Sequence, residues 1–222
     1  MRLRREKAPA HRRVVWQAAS LLLAYPDDGQ SDRLDMVQAA VTSLPEGERA
    51  PLQACAEHLR ATALITAAAE YSETFDWRRR RTLFLTYYTA GDTRNRGMAL
   101  LDFADTYRAA GVAPPADELP DHLAVLLEFA ATVDESAGYR LLCRHRTPID
   151  LLHSGLAKAG SPYAGVISAV SRTLPPATVA DLQEARRLAM QGPPAESVGL
   201  EPFAVTMPAT IPLRDSAPVG LR

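Results

Sequence analysis

Residues 71–129 read YSETFDWRRRRTLFLTYYTAGDTRNRGMALLDFADTYRAAGVAPPADELPDHLAVLLEF. This stretch concentrates aromatic side chains, an arginine run, a charged Gly-Asp-Thr-Arg turn and a tight group of acidic and imidazole groups. Its apolar residues recur at helical rather than alternating spacing, which decides for an all-α fold. Leu83, Phe84, Tyr87 and Tyr88 form one stripe. Leu100, Phe103, Ala104 and Tyr107 form a second, on a helix that Gly111 ends. A third helix is expected from Asp117 and Glu118 onward, with Leu119, Leu123, Leu126, Leu127 and Ala130 as its core side. Val125 and Phe129 point the other way, beside Asp121, His122 and Glu128. A helix apolar on two sides is either sandwiched or keeps one side for a partner.

The local charges set up two functional expectations. Asp76 can cap the helix that follows it, but Arg78, Arg79, Arg80 and Arg81 would then crowd its first turn, where the dipole is already positive. Solvation and pairing with Glu73 and Asp76 is one answer. Contact with an anion or partner is the other, and it extends to Arg94 and Arg96 in the polar turn. That turn lacks the glycine spacing and lysine of a phosphate loop. Around Val125 and Phe129, the carboxylates of Glu118, Asp121 and Glu128 would suit a ligand that is greasy in the middle and basic at its ends. A hydrolase using Asp121, His122 and Glu128 is weaker, because adjacent residues diverge by about 100° on a helix and no nucleophile lies near.

Outside this stretch the chain is plainer. The 222 residues are 47% hydrophobic and 23% charged with a net charge of -1, an ordinary globular composition with no global field for nucleic acid or anionic lipid. Cys55 and Cys143 stand apart, without ligand spacing for a metal or a disulfide framework. Arg12-Arg13 before an apolar run imitates a twin-arginine export signal, yet Gln17 and Ser20 interrupt the run and no small-residue cleavage site follows. A first core helix stopped by Pro26, and a soluble cytoplasmic protein without membrane insertion, are expected. A second helix is expected from Asp32, and a third from Pro51 through Leu59, Leu64 and Ile65 to Ser72. Pro148 and Pro162 should open later helices, and a last helix should span residues 177–190. The expected organisation is a basic extension over 1–13, one helical domain over 14–190, and a flexible proline-rich tail over 191–222. Within that tail Glu201-Pro202-Phe203-Ala204-Val205 could dock on a partner or in the chain's own groove.

The ordered strings LLLAYPDD, YxxTFD, LFLTYY, GDTRxRGxAL, YRAAG, ELPDHLxxxLEFAA and GYRLLCRHRTPIDLLHSGLA resemble the NarJ family of nitrate reductase assembly chaperones, relatives of the TorD and DmsD maturation proteins. The resemblance covers residues 14–188. It implies a single-domain helical bundle of the TorD-like type and a chaperone rather than an enzyme, with no cofactor of its own. It also implies a client, the N-terminal segment and apoenzyme of the nitrate reductase α subunit, held competent for molybdenum-cofactor insertion by a protein absent from the final enzyme. Molybdenum-cofactor delivery proteins are a further implied partner. The acidic-Pro-Asp-His signature places Glu118, Asp121 and His122 in the peptide site, joined by Val125, Glu128 and Phe129. A helical scaffold binding some other helix through the same face is the alternative reading.

Overall fold

The computed structural model describes residues 11–194, and the expectations for residues 1–10 and 195–222 lie outside them. In chain order the helices are α1 (His11–Leu22), α2 (Gln30–Val41), α3 (Glu46–Ala61), α4 (Leu64–Phe75), α5 (Leu85–Ala90), α6 (Arg94–Ala109), α7 (Leu123–Thr132), α8 (Glu135–Arg144), α9 (Arg146–Lys158), α10 (Tyr163–Arg172) and α11 (Val179–Gln191). A single 3-10 turn, Arg79–Arg81, precedes α5. No strand occurs among the described residues, only an isolated antiparallel bridge between Phe84 and His122.

The core forms where α1 and α7 pack together, with α2 and α10 also against α1 and α8 against α7. Val15, Trp16, Ala18, Ala19 and Leu22 turn one side of α1 fully inward. Two of its buried polar groups are paired across the bundle: Trp16 Nε1 donates to Thr173 Oγ1 at 2.8 Å, and Ser20 Oγ to the Ala124 carbonyl at 2.8 Å. Such pairing removes the cost of burying them and fixes the register between distant helices. Where α7 crosses α8 the backbones touch through small residues, so that a Cβ on Gly138 would lie 2.3 Å from Ala130 Cβ. Caps mark two helix starts. Asp134 accepts from the Ala137 amide at 2.8 Å, and Thr178 and Asp181 form a reciprocal capping box on α11.

Several boundaries differ from those expected of the sequence. The first helix already includes His11, Arg12 and Arg13, inside the span assigned to an extension. The helix expected to begin at Pro51 begins at Glu46, and the amide that Pro51 lacks would have met the carbonyl of exposed Gly47. It also does not run on to Ser72. Thr62 and Ala63 are extended, and Thr62 Oγ1 back-bonds to the His58 carbonyl at 2.8 Å, a competition with helix continuation typical of threonine. Ile65, expected within that third helix, lies in the first turn of α4 and is 83% exposed. The arginine run is not in an α-helical first turn either: α4 ends at Phe75 and α5 starts only at Leu85. No helix among the described residues is long and apolar enough to cross a membrane.

Candidate functional site

The signature segment around Asp121 is not helical. Pro120 disfavours the α conformation at Leu119, and α7 begins only at Leu123 with His122 as its extended N-cap. This corrects the expected helical placement of Asp121 and His122, and Leu119 is 39% exposed rather than core. Instead residues 121–123 run antiparallel to residues 83–85. Leu85 N donates to the Asp121 carbonyl at 3.2 Å, and Leu123 N to the Leu83 carbonyl at 2.9 Å. Tyr107 Oη donates to the Pro120 carbonyl at 2.7 Å and anchors the segment from α6.

Within this clamp Asp121 is completely buried. Its Oδ2 accepts from the Thr86 amide at 2.9 Å and from Thr86 Oγ1 at 2.6 Å. A carboxylate bonded twice to the first turn of α5 acts as a cap placed in trans, satisfying donors that this six-residue helix cannot pair itself. Asp121 therefore joins two segments 35 residues apart and does not line the cleft beside them.

That cleft encloses about 450 Å³. One wall is aromatic: Tyr25, Tyr71 and Phe75, with ring centroids 5.3 Å apart for Tyr25 and Tyr71 and 4.8 Å for Tyr71 and Phe75. Tyr71 is held by its hydroxyl donating to the Leu23 carbonyl at 3.0 Å. Leu83, Phe84 and Tyr87 also line it. Asp76, Asp92 and Glu118 supply three carboxylates to the lining, against one guanidinium from Arg96. Arg96 lies over both Phe84 and Tyr87, 5.6 and 5.7 Å from their centroids, and donates from Nε to Thr86 Oγ1 at 3.4 Å.

His122 also faces the cleft. Its ring packs edge-on against Phe84 at 5.3 Å, its Nε2 lies 3.9 Å from Glu118 Oε2, and its buried Nδ1 meets no protein partner. Burial pushes the imidazole below its ordinary pKa, opposed by the carboxylates of Glu118, Asp121 and Asp76. The site thus offers a neutral aromatic-edged imidazole, an apolar floor and an acidic rim. Such a surface accepts an apolar segment carrying cationic groups.

The expected peptide-site residues fall into two places. Glu118 and His122 line the cleft, and Asp121 supports it from behind. Val125, Glu128 and Phe129 lie elsewhere. Phe129 is 5% exposed with its ring 4.5 Å from Tyr107, Val125 packs half-buried on the core, and Glu128 is in solvent. The helix apolar on two sides is sandwiched between α1 and α8. Of the arginines, Arg96 lines the cleft, Arg78 and Arg80 are exposed, Arg81 is half-buried against Gly155, and Arg94 is exposed on α6. Tyr25, Tyr71, Phe75 and Tyr87 are the cleft residues that sequence reasoning missed. Helical spacing assigned Tyr87 to an apolar stripe, and no spacing argument reached Tyr25, Tyr71 or Phe75. No cluster of three or more metal-ligating side chains occurs among the described residues.

Comparison with known proteins bears on this geometry. Residues 42–169 match the family model described as nitrate reductase delta subunit. The nitrate reductase-like protein NarX of Mycobacterium tuberculosis (strain ATCC 25618 / H37Rv) is 50% identical over 161 residues, which are 72% of this chain but only 24% of that protein. The probable nitrate reductase molybdenum cofactor assembly chaperone NarJ of Bacillus subtilis (strain 168) is 30% identical over 159 residues, 70% of this chain and 85% of that protein. A crystal structure of a putative redox enzyme maturation protein from Archaeoglobus fulgidus shares the fold, with a TM-score of 0.56 at 22% identity over 77% of this chain and 98% of that one. With more than half of its length matching the family model and a relative of this identity covered over most of its own length, the chain belongs to the nitrate reductase delta subunit family, together with the NarJ-type assembly chaperones.

Proposed function

We propose that this protein is a chaperone of nitrate reductase assembly that holds the N-terminal segment of the catalytic α subunit in the cleft lined by Tyr25, Tyr71, Phe75, Phe84 and Tyr87. Holding that segment keeps the apoenzyme competent for molybdenum-cofactor insertion and subunit assembly, after which the chaperone departs. The observation that carries this reading is the acid-rimmed aromatic cleft itself, built in a chain whose relatives include a protein named as a molybdenum cofactor assembly chaperone. A leader that is apolar in its middle and basic at one end can place its side chains on the rings and its cations against Glu118 and Asp76. The role is one of binding, with no turnover: Asp121 is committed to Thr86 and contacts no group in the cleft that it could activate.

The test is calorimetric titration of a synthetic peptide copying the N-terminus of the host's nitrate reductase α subunit. Wild type should bind at micromolar affinity or tighter, about -8 kcal/mol or better. Glu118 is half-exposed on a loop, so Glu118→Arg should leave the fold intact while lowering affinity about tenfold or more, with a weaker salt dependence than wild type. Wild-type protein that gives no heat with this peptide, and no binding by fluorescence anisotropy, would overturn the proposal.

A further inference from the structure

The end of the described chain lies against Gly91, next in sequence to the cleft residue Asp92, while Gly192 and Pro193 line a separate pocket with Arg80 and Tyr88. After α11, Gly192 adopts a φ of +79° and its amide donates to the Leu188 carbonyl, turning the backbone out of the helix. Two residues later Pro194 rests on Gly91. A Cβ on Gly91 would lie 1.8 Å from the Pro194 carbonyl oxygen. Gly91 is buried, has a φ of +58°, and sits between Ala90 and Asp92 in the α5–α6 turn, where Asp92 and the preceding Tyr87 both line the cleft. Glycine there lets one chain segment cross another in contact.

The sequence that continues from this point has the chemistry the cleft selects. Residues 202–214, PFAVTMPATIPLR, present Phe203, Val205, Met207, Ile211 and Leu213 and carry one cation, Arg214, with the carboxylates of Glu201 and Asp215 flanking them. Prolines at 202, 208 and 212 oppose helix formation and favour an extended backbone. From Pro194 to Phe203 there are nine residues, a reach of roughly 30 Å when extended.

We infer that residues 202–214 of this same chain dock at the cleft as a tethered pseudo-ligand, with Phe203 among its aromatic side chains and the rest of the segment running out of it over the neighbouring surface, and that the client segment must displace them. This rests on the client reading above for its consequence but not for the contact itself. A tether of this length gives a local concentration of about 1 mM. A segment of intrinsic Kd near 0.1–1 mM would then weaken apparent client affinity about 2- to 10-fold, enough to make release of a weakly held client easy without blocking capture.

The experiment uses the full-length chain with a photoreactive benzoylphenylalanine at position 203. Crosslinks mapping to the segments that carry Tyr25, Phe84 or Tyr87, and suppressed by mutating Glu118→Arg or by adding excess α-subunit peptide, are expected. In parallel the double variant Phe203→Asp, Ile211→Asp should bind that peptide about 2- to 10-fold more tightly than wild type. Crosslinks that fall outside the cleft, or none at all, would overturn the inference, as would client affinity unchanged in the double variant. A chain that crosslinks into the cleft yet binds no client peptide leaves the inference standing and defeats the client reading instead.

Discussion

Replacing Asp121 by alanine should cost stability through Thr86 and not through anything in the cleft. The wild-type carboxylate accepts the Thr86 amide at 2.9 Å and its hydroxyl at 2.6 Å, with no solvent access. Two hydrogen bonds to a carboxylate contribute about 1.5–3 kcal/mol each. Against this, Asp121 Oδ1 is buried without a partner, so its removal relieves part of the desolvation cost. The net loss expected for Asp121→Ala is about 2–4 kcal/mol, or roughly 5–15 °C in Tm for a chain of this size. Asp121→Asn keeps an acceptor oxygen and should cost less. Thr86→Val deletes the hydroxyl that donates to Asp121 and its longer 3.4 Å contact from Arg96 Nε, and keeps the amide bond. Urea denaturation followed by circular dichroism on both single variants and their double should show a coupling energy of about 1.5 kcal/mol or more. Additive effects, or a loss below about 1 kcal/mol for Asp121→Ala, would refute the view that this bond holds the two segments together.

Other outcomes follow from the same geometry. Gly138→Ala should destabilise by about 1–3 kcal/mol or prevent folding, because its methyl would overlap Ala130 where α7 crosses α8; a melting curve decides this. Tyr88→Phe removes the hydroxyl that donates to the Thr82 carbonyl at 3.0 Å and should cost about 1 kcal/mol, read as a shift in the urea midpoint. Stability should fall on acidification. His122 and His145 are both pushed below the ordinary value of 6.5 by burial, so their contribution is complete above 6.5, where both states are neutral. As pH drops below it the unfolded chain takes up protons first, and the contribution declines until the folded values are also passed. His145→Gln, at a site where the ring stacks on Phe103 and Nδ1 meets the Leu141 carbonyl, should flatten the difference in urea midpoint between pH 7 and pH 5.

The helical class was legible because apolar spacing is local information, and most buried positions of α1, α2, α6, α8 and α10 follow from it. What escaped depends on pairing between distant segments. Nothing near residue 121 announces that Thr86 needs an acceptor, and the bridge joining Phe84 to His122 spans 38 residues. Pro120 was compatible with a first helical turn or with an extended strand, and only the partner backbone at residues 83–85 selects the second. The break at Thr62 had no glycine or proline to mark it. Phe129 looked outward because a helix read alone has one core side, whereas α7 has neighbours on both. The acidic-Pro-Asp-His string pointed to a segment that borders the cleft while hiding the division of labour inside it.

That division separates two kinds of defect that would look alike in an assembly assay. Asp121 and Glu118 are three residues apart, but one is sealed behind the bridge and the other is half-exposed on the lining. Loss of Asp121 should loosen the first turn of α5, and with it Phe84 and Tyr87, so that binding falls because the wall moves. Such a defect should be restored by cooling or by a stabilising osmolyte, since it draws on folding free energy. Loss of the Glu118 charge should lower affinity at unchanged Tm, respond to salt instead, and resist osmolyte rescue, since it removes attraction in an intact cleft. Measuring client-peptide affinity and Tm for Asp121→Ala and Glu118→Arg, with and without added osmolyte, places each residue on one side of that line. Equal osmolyte rescue of both variants would mean that the loop carrying Glu118 is itself part of the clamp, and that the carboxylate rim acts through structure rather than through charge.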